Sequence, residues 1–313
     1  GQAMKYALTL ALAFVSHTYL LANEPAKPAT PAAAPVAIPP TQADVRYGEH
    51  ERQVLDFYQA KSERPTPLLF FIHGGGWVGG DKTGRTGASV KQYLAAGISV
   101  VSINYRYSWQ AQLAGIKPPV KAPLEDAARA LQFVRSKAKE WNIDKERIGA
   151  SGGSAGACSS LWLAFHDDMA DPKSSDPIAH ESTRLLTAAV AGAQTSLDPQ
   201  ELKEWTPNSR YGGHAFGFMD PNDPKTRDTR FAEFLAHRAE LLPWIKEYSP
   251  IGLVTADDPP VYLIYSNTPG LGEAQQDPTH TANYGVKLQE KCRSVGVGCE
   301  LAYPEAPDVK HPT

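Results

Sequence analysis

The chain has 313 residues, of which 42% are hydrophobic and 21% are charged, so it is long enough and apolar enough for a globular domain with one large core. Its 34 acidic and 31 basic residues give a formal net charge of -3 and are scattered along the sequence. They form no basic stripe of the kind that a phosphate backbone requires, which excludes nucleic acid as an expected partner.

Residues 1–22 have the layout of a secretory signal peptide. Met4 and Lys5 precede an apolar stretch from Tyr6 to Ala22. The three residues before Met4 do not bear on the prediction. Polar residues interrupt the stretch, and it is short for a membrane span of about 20 residues. We expect cleavage near Ala22, a secreted or periplasmic protein, and no stable membrane insertion after cleavage. A retained membrane anchor is the alternative.

Residues 23–40 consist mainly of alanine and proline. Such a segment buries little apolar area and favours an extended, polyproline-like spacer. We therefore expect a linker here and a catalytic domain that covers residues 41–313.

Short apolar runs bounded by turn residues predict strands that are buried on both faces of a parallel sheet. These runs are residues 67–72, 98–104, 147–150, 187–191, 261–265 and 300–303. Residues 45–59 alternate more like an antiparallel hairpin at the sheet edge. Helices are predicted at residues 124–141, after Ser154 and at residues 281–292. This alternation predicts an α/β fold with a mostly parallel sheet.

One region interrupts the alternation of strands and helices, at about residues 196–248. It has no strand signal, but it has several aromatic residues and a helical run at residues 231–247. We expect an insertion that forms a cap over the carboxyl edge of the sheet. Aromatic side chains commonly form the walls of binding pockets. The predicted substrate-binding residues are Trp77, Trp205, Tyr211 and Phe216. The alternative is that the cap aromatics only pack the cap onto the body.

The sequence Gly152-Gly153-Ser154-Ala155-Gly156 lies directly after a predicted strand and before a helical run. A serine on such a sharp turn exposes its hydroxyl above the sheet, and the flanking glycines avoid steric clashes in the bend. The amino end of the following helix favours negative charge near the serine. The pattern predicts that Ser154 is a catalytic nucleophile.

A second glycine-rich motif, His73-Gly74-Gly75-Gly76-Trp77, follows the strand at residues 67–72. Consecutive glycines let backbone amides approach an oxyanion closely. Gly75 and Gly76, together with the amide of Ala155, are the predicted oxyanion hole. The spacing also matches the G-x-G-x-x-G dinucleotide fingerprint, but no acidic residue ends the next strand, and no convincing helix begins at the glycines.

The two motifs, with GGDK at residues 79–82 and NYR at residues 104–106, resemble the esterase and lipase branch of the α/β-hydrolase superfamily. That branch includes hormone-sensitive-lipase-like carboxylesterases and proteins similar to feruloyl and acetyl-xylan esterases. The resemblance covers about residues 47–312. It implies an α/β-hydrolase fold, in which helices flank a mostly parallel central sheet and a cap is inserted.

The family order of nucleophile, acid and histidine then directs the search for the two remaining partners. The acid is expected after the strand at residues 261–265, where Glu273 and Asp277 are available and Asp277 is favoured. A helix-capping role is the alternative for Asp277. The histidine is expected after the last strand, where His311 stands, and His280 is the competitor. The predicted catalytic residues are therefore Ser154, Asp277 and His311.

The resemblance implies a serine carboxylic-ester hydrolase that works through an acyl-enzyme on Ser154. We expect no cofactor, and a small-molecule or carbohydrate ester as substrate. An amide hydrolase of the same fold, of the arylformamidase or peptidase type, and a non-catalytic binding module are the competing interpretations.

The three cysteines leave two interpretations open. Cys292 and Cys299 form a disulfide while Cys158 stays a free buried thiol, or all three are reduced and buried. No Cys or His pairs show metal-ligand spacing, so no metal is implied.

Overall fold

The computed structural model describes residues 37–84 and 87–311. The predicted signal peptide and most of the predicted linker lie outside these residues, so both stay predictions. Within the described part, the first strand begins at Gln42.

The described residues form one eight-stranded sheet. Its strands are β1 (Gln42–Arg46), β2 (Val54–Tyr58), β3 (Thr66–Ile72), β4 (Ser99–Ile103), β5 (Ile143–Gly153), β6 (Thr187–Ala191), β7 (Val261–Ile264) and β8 (Cys299–Ala302).

Helices follow most of the strands. The α-helices are α1 (Gly87–Ala95), α2 (Ser108–Leu113), α3 (Lys121–Ser136), α4 (Ala155–Phe165), α5 (Pro199–Trp205), α6 (Phe231–Ala236), α7 (Arg238–Tyr248), α8 (Pro250–Leu253) and α9 (Asn283–Val295). Short 3₁₀ helices occur at Pro177–His180, Gly213–Phe216 and Pro224–Thr226.

The strands lie in the order β1-β2-β4-β3-β5-β6-β7-β8. The β1–β2 and β2–β4 pairs are antiparallel, and every pair from β4–β3 to β7–β8 is parallel. This arrangement confirms the predicted α/β class, including the antiparallel hairpin at one edge. Because β3 and β5 are adjacent and parallel, the two glycine motifs that follow them meet at the same edge of the sheet.

Helix α3 buries an apolar face against the sheet, and both Leu124 and Leu131 are fully buried. The predicted helix reached Trp141, but the observed one ends at Ser136. The chain then turns at Asn142, whose φ is 52°, and enters β5. Trp141 is buried because its ring stacks on Phe57, with ring centres 4.2 Å apart, and no helix is needed to hold it there.

The segment at residues 196–248 contains helices and no strand, as predicted. It is attached to the body by hydrogen bonds at several points. The amide of Val120 donates to the carbonyl of Ala215, and the side-chain amide of Asn283 donates to the carbonyl of Trp205. The segment therefore packs against the start of α3 and the start of α9.

All three cysteines are free thiols in the structure. Cys292 on α9 and Cys299 on β8 nevertheless share a hydrogen bond through their sulfur atoms, which raises the pKa of Cys299 and lowers that of Cys292. The thiol of Cys158 is fully buried, and burial raises its pKa. The helices within the described ranges are all too short or too polar to span a bilayer.

Candidate active site

Ser154 lies at the junction of β5 and α4, and its backbone is strained. Its φ of 54° and ψ of -122° lie in a region that costs a residue with a side chain about 1–3 kcal/mol. A Cβ atom on either Gly152 or Gly156 would collide with the carbonyl oxygen of Ile72. Gly152 and Gly156 are therefore steric requirements of a turn that packs directly on β3.

Ser154 is hydrogen-bonded to His280, and His280 is hydrogen-bonded to Asp277. The Ser154 Oγ lies 2.9 Å from Nε2 of His280, and the His280 Nδ1 lies 2.8 Å from Oδ2 of Asp277. A carboxylate can only accept hydrogen bonds, so Nδ1 carries the proton, and Nε2 of the neutral ring accepts from the serine hydroxyl. This is the arrangement of a nucleophile, a general base and an acid that orients the base.

Asp277 and His280 both belong to the loop between β7 and α9. The backbone amides of Thr279 and His280 each donate a 3.2 Å hydrogen bond to Oδ1 of Asp277. One oxygen of the carboxylate thus closes the turn, while the other accepts the hydrogen bond from the imidazole Nδ1–H. The exposed fractions of the His280 and Asp277 side chains, 37% and 48%, put the pair at the mouth of the cleft.

The prediction that His311 is the partner of Ser154 is wrong, because His311 is bonded elsewhere. Its Nδ1 lies 2.7 Å from Oε2 of Glu300, and its backbone amide donates to Oε1 of the same residue at 2.7 Å. The hydroxyl of Tyr262 donates to its carbonyl. His311 is therefore attached to β8, while the hydrogen bond to Ser154 is made by the competitor, His280.

The glycine loop after β3 lies beside Ser154. A Cβ atom on Gly74 would be 2.7 Å from the carbonyl oxygen of Gly153, and Gly75 lines the same cleft as Ser154. Ala155 is the first residue of α4, where amides have no partner within the helix. Gly76 is buried and does not line the cleft, and a Cβ atom there would lie 2.5 Å from Nη1 of Arg227, so its part in the oxyanion hole stays a prediction.

His73, the first residue of this loop, is buried and neutral. Burial lowers its pKa to about 4, and its Nδ1 lies 2.7 Å from the carbonyl oxygen of Gly74. The ring stacks on Tyr105 with ring centres 4.3 Å apart. His73 thus contacts the backbone of the loop rather than Ser154.

Ser154, His280 and Asp277 face a cleft of about 500 Å³. Besides these three and His73, the cleft is lined by two apolar side chains, Phe71 and Ala191, and by three polar ones, Asp81, Ser266 and Asn267. Glycine backbone forms most of the remaining wall. Burial acts to raise the pKa of Asp81, but hydrogen bonds from Thr83 and Asn104 outweigh it and lower that pKa. The cleft therefore presents a carboxylate and few apolar side chains.

Comparison with known protein families identifies the family of this chain. The model of the BD-FAE family matches residues 55–277, which is more than two thirds of the 313 residues. The chain belongs to the BD-FAE family. The matched span runs from β2 to the loop that carries Asp277.

Two Mycobacterium tuberculosis proteins are similar to this BD-FAE member. The probable carboxylic ester hydrolase LipM is 25% identical over 74% of this chain and 49% of its own length. The esterase LipC is 25% identical over 85% of this chain and 58% of its own length. The chain thus spans about half the length of the curated relatives that it matches.

Solved structures support the α/β-hydrolase fold of this BD-FAE protein. A truncated carbohydrate esterase from gut microbiota superposes with a TM-score of 0.63, at 20% identity, over 84% of this chain and 86% of that one. An acetyl ester-xyloside bifunctional hydrolase from Caldicellulosiruptor lactoaceticus gives 0.60, at 22% identity, over 85% and 86%. At these identities the likeness concerns the fold alone.

The four aromatic residues predicted to bind substrate do not line the cleft of this BD-FAE protein: Trp77, Trp205, Tyr211 and Phe216 are all buried. The indole of Trp77 donates a 3.0 Å hydrogen bond to Ser159, and Trp205 packs edge-to-face on Tyr284. Their predicted role as cleft walls is therefore wrong, because packing of the body and of residues 196–248 already uses their surfaces.

From the sequence, His280 ranked second to His311 as the expected base, although a local signal favoured His280. Asp277 is followed by Pro278, and an Asp-Pro pair favours a tight turn that is closed by the aspartate side chain. Such a turn returns the residue three positions later to the aspartate.

In the described part of the chain, no three His, Cys, Asp or Glu side chains gather in a way that could hold a metal ion.

Proposed function

We propose that this protein is a carboxylic-ester hydrolase that works through an acyl-enzyme on Ser154. The observation that carries the proposal is the pair of hydrogen bonds, 2.9 Å and 2.8 Å long, that joins Ser154 to His280 and His280 to Asp277 in one cleft. Family membership and relatives named as ester hydrolases support the reaction class.

In this mechanism the Ser154 Oγ attacks the ester carbonyl while His280 Nε2 takes its proton. Asp277 keeps the imidazole in the required tautomer and stabilises the imidazolium. The tetrahedral oxyanion accepts hydrogen bonds from the amides of Gly75 and Ala155, at the start of α4. His280 then returns the proton to the leaving alcohol, and a water molecule that it activates in turn hydrolyses the acyl-enzyme.

We further propose small acyl groups on a polar, carbohydrate-like alcohol as the substrate class. Binding sites for apolar ligands are lined mainly by hydrophobic and aromatic side chains. Here Phe71 and Ala191 are the apolar side chains of the cleft, against Asp81, Ser266 and Asn267, which can bond to sugar hydroxyls. The carbohydrate esterase and the acetyl ester-xyloside hydrolase that share the fold are consistent with this choice.

Export is a separate part of the proposal, and it depends on residues 1–22 alone. Expression of the sequence from Met4 in a bacterial host, followed by fractionation and N-terminal sequencing, tests it. A periplasmic or secreted protein whose first residue follows Ala22 is the expected result. A full-length protein retained in the membrane would contradict it.

The activity test compares the wild type with Ser154→Ala and with Ser294→Ala, a control at an exposed serine on α9. We expect a fluorophosphonate probe to label the wild type and the control, and Ser154→Ala to lose both labelling and turnover of p-nitrophenyl acetate. Acetylated xylo-oligosaccharides should be better substrates than p-nitrophenyl octanoate. Turnover by Ser154→Ala near the wild-type rate would refute the acyl-enzyme, and faster cleavage of a matched amide would refute the ester assignment.

A further inference from the structure

Arg52 connects the turn between β1 and β2 to the glycine loop after β3. Its Nε donates a 2.8 Å hydrogen bond to the carbonyl of Tyr105, and its Nη2 donates a 3.2 Å hydrogen bond to the carbonyl of Gly80. The same Nη2 lies 3.5 Å from Nε2 of His73. The guanidinium stands 3.8 Å from the centre of the Tyr107 ring, in the range of a cation–π contact. One side chain therefore contacts both ends of the loop.

The contact between His73 and the carbonyl of Gly74 defines the tautomer of the His73 ring. Because burial lowers its pKa to about 4, His73 is neutral near pH 7, with one ring nitrogen as donor and the other as acceptor. The carbonyl of Gly74, 2.7 Å from Nδ1, can only accept, so Nδ1 carries the hydrogen. The Nε2 is then the acceptor that faces the guanidinium of Arg52.

Two further residues confine the carbonyl of Gly74. The hydroxyl of Tyr105 donates to the carbonyl of His73 at 2.9 Å and lies 3.3 Å from that of Gly74. Gly80 approaches so closely that a Cβ atom there would be 2.6 Å from the Gly74 oxygen. The hydroxyl of Tyr107 and Arg52 both hold Gly80 by its carbonyl.

The orientation of the Gly74 carbonyl decides where the next amide points. In a planar trans peptide the C=O and the N–H point in opposite directions, so a carbonyl held against His73 directs the N–H of Gly75 away from it. Within residues 37–84 and 87–311, no protein group accepts that N–H. Gly75 itself lines the cleft with Ser154.

We infer that Arg52 is a positioning residue of the oxyanion loop: it holds the Gly74–Gly75 peptide, through His73 and Gly80, so that the Gly75 N–H stays available to a substrate oxyanion. The role of the loop rests on the proposed ester hydrolysis. The way Arg52 holds the loop does not depend on ester hydrolysis, and the exchange rates of the loop amides measure it separately.

The test compares Arg52→Gln and Arg52→Lys with Arg46→Gln on the same hairpin. Arg46 is a matched control, because among the described residues its exposed guanidinium bonds only to the local carbonyls of Glu49 and His50. For p-nitrophenyl acetate, we expect Arg52→Gln to lower kcat about 10- to 100-fold, less than the roughly 10²- to 10³-fold loss that follows removal of one oxyanion donor, while KM changes less than about threefold. Arg52→Lys keeps the charge but lacks the planar fork, so it should recover little.

Amide hydrogen exchange over residues 73–80 gives a readout that is independent of turnover. It should become faster in both Arg52 variants and stay unchanged in Arg46→Gln, at a temperature well below all melting midpoints. Wild-type kcat in Arg52→Gln, full recovery in Arg52→Lys or unchanged exchange would each overturn the inference. If the wild type cleaves no ester, the proposed function fails, and the exchange rates still decide whether Arg52 holds the loop.

Discussion

Replacement of His280 by Ala is expected to remove almost all turnover, whereas replacement of His311 by Ala should leave it nearly intact. His280 is the imidazole within hydrogen-bonding distance of Ser154, at 2.9 Å. Loss of a general base costs about 10²- to 10⁴-fold, and loss of the base of a complete serine triad up to about 10⁶-fold in kcat. At about 1.4 kcal/mol per factor of ten, this corresponds to about 3–8 kcal/mol of transition-state stabilisation.

The effect of His311→Ala can be worked from its bonds to Glu300. The distance between Nδ1 of His311 and Oε2 of Glu300 is 2.7 Å, and the exposed fraction of the His311 side chain is 28%, so the contact is a partly solvated hydrogen bond to a carboxylate. Its loss should lower the free energy of unfolding by about 0.5–1.5 kcal/mol and change kcat less than about twofold.

Initial rates with p-nitrophenyl acetate near pH 7.5 and urea unfolding curves provide both measurements. Added imidazole should restore part of the activity of His280→Ala, because the deleted ring leaves space beside Ser154. A larger loss of activity in His311→Ala than in His280→Ala, or more than about a tenth of the wild-type kcat in His280→Ala, would contradict the assignment of His280 as the base.

Three further predictions concern other residues. Asp277→Asn should lower kcat by about 10⁴-fold through the wrong imidazole tautomer, whereas Glu273→Gln, in the same loop, should stay near wild type, and the opposite ranking in the ester assay would contradict the assignment. Burial first, and Arg227 second, lower the pKa of His214 from its ordinary 6.5 to about 3, so the unfolded chain binds this proton first as the pH falls. Stability should therefore decrease by about 2 kcal/mol from pH 7 to pH 5 on account of this residue, and urea unfolding of His214→Phe should lack that part of the decrease. Cys292 and Cys299 should form a disulfide in an oxidising glutathione buffer, seen as the loss of two hydrogen atoms by mass spectrometry, and an unchanged mass would contradict it.

The sheet could be predicted from the sequence because its strands carry their own evidence. Residues 67–72 and 187–191 are continuous apolar runs, and both became central parallel strands in the predicted positions. The fifth strand was predicted only at residues 147–150 but spans Ile143–Gly153. Its polar residues 144–147 are half-buried or exposed near the end of the sheet, where an apolar pattern is not required.

The site could be predicted only in part. The Ser154 turn is specified locally, by glycines that any strand-to-helix bend of this kind requires. The position of the base depends on whether a long loop folds back over the sheet, and apolar periodicity does not report that. The order of nucleophile, acid and histidine held, but the histidine came three residues after the acid instead of after the last strand.

The aromatic residues at 205, 211 and 216 show that a sequence does not reveal whether an aromatic side chain binds substrate or packs the fold. An aromatic side chain that lines a pocket and one that packs a helix onto a sheet look the same in a sequence, because both satisfy the same tendency towards burial. For these three rings, burial of their large apolar area determines their placement more than contact with a substrate does. Polar residues such as Ser266 and Asn267, which do line the cleft, give no comparable signal.

Because Asp277 and His280 lie on one turn, the geometry between acid and base is set locally and not by the rest of the fold. The spacing of acid and base is set by a segment of four residues and does not depend on the position of β8 or of the helices around it. Only the docking of the turn onto Ser154 has to be maintained by the rest of the fold. Protein engineers could therefore vary or fuse sequence behind β8 with consequences for stability but not for the chemistry.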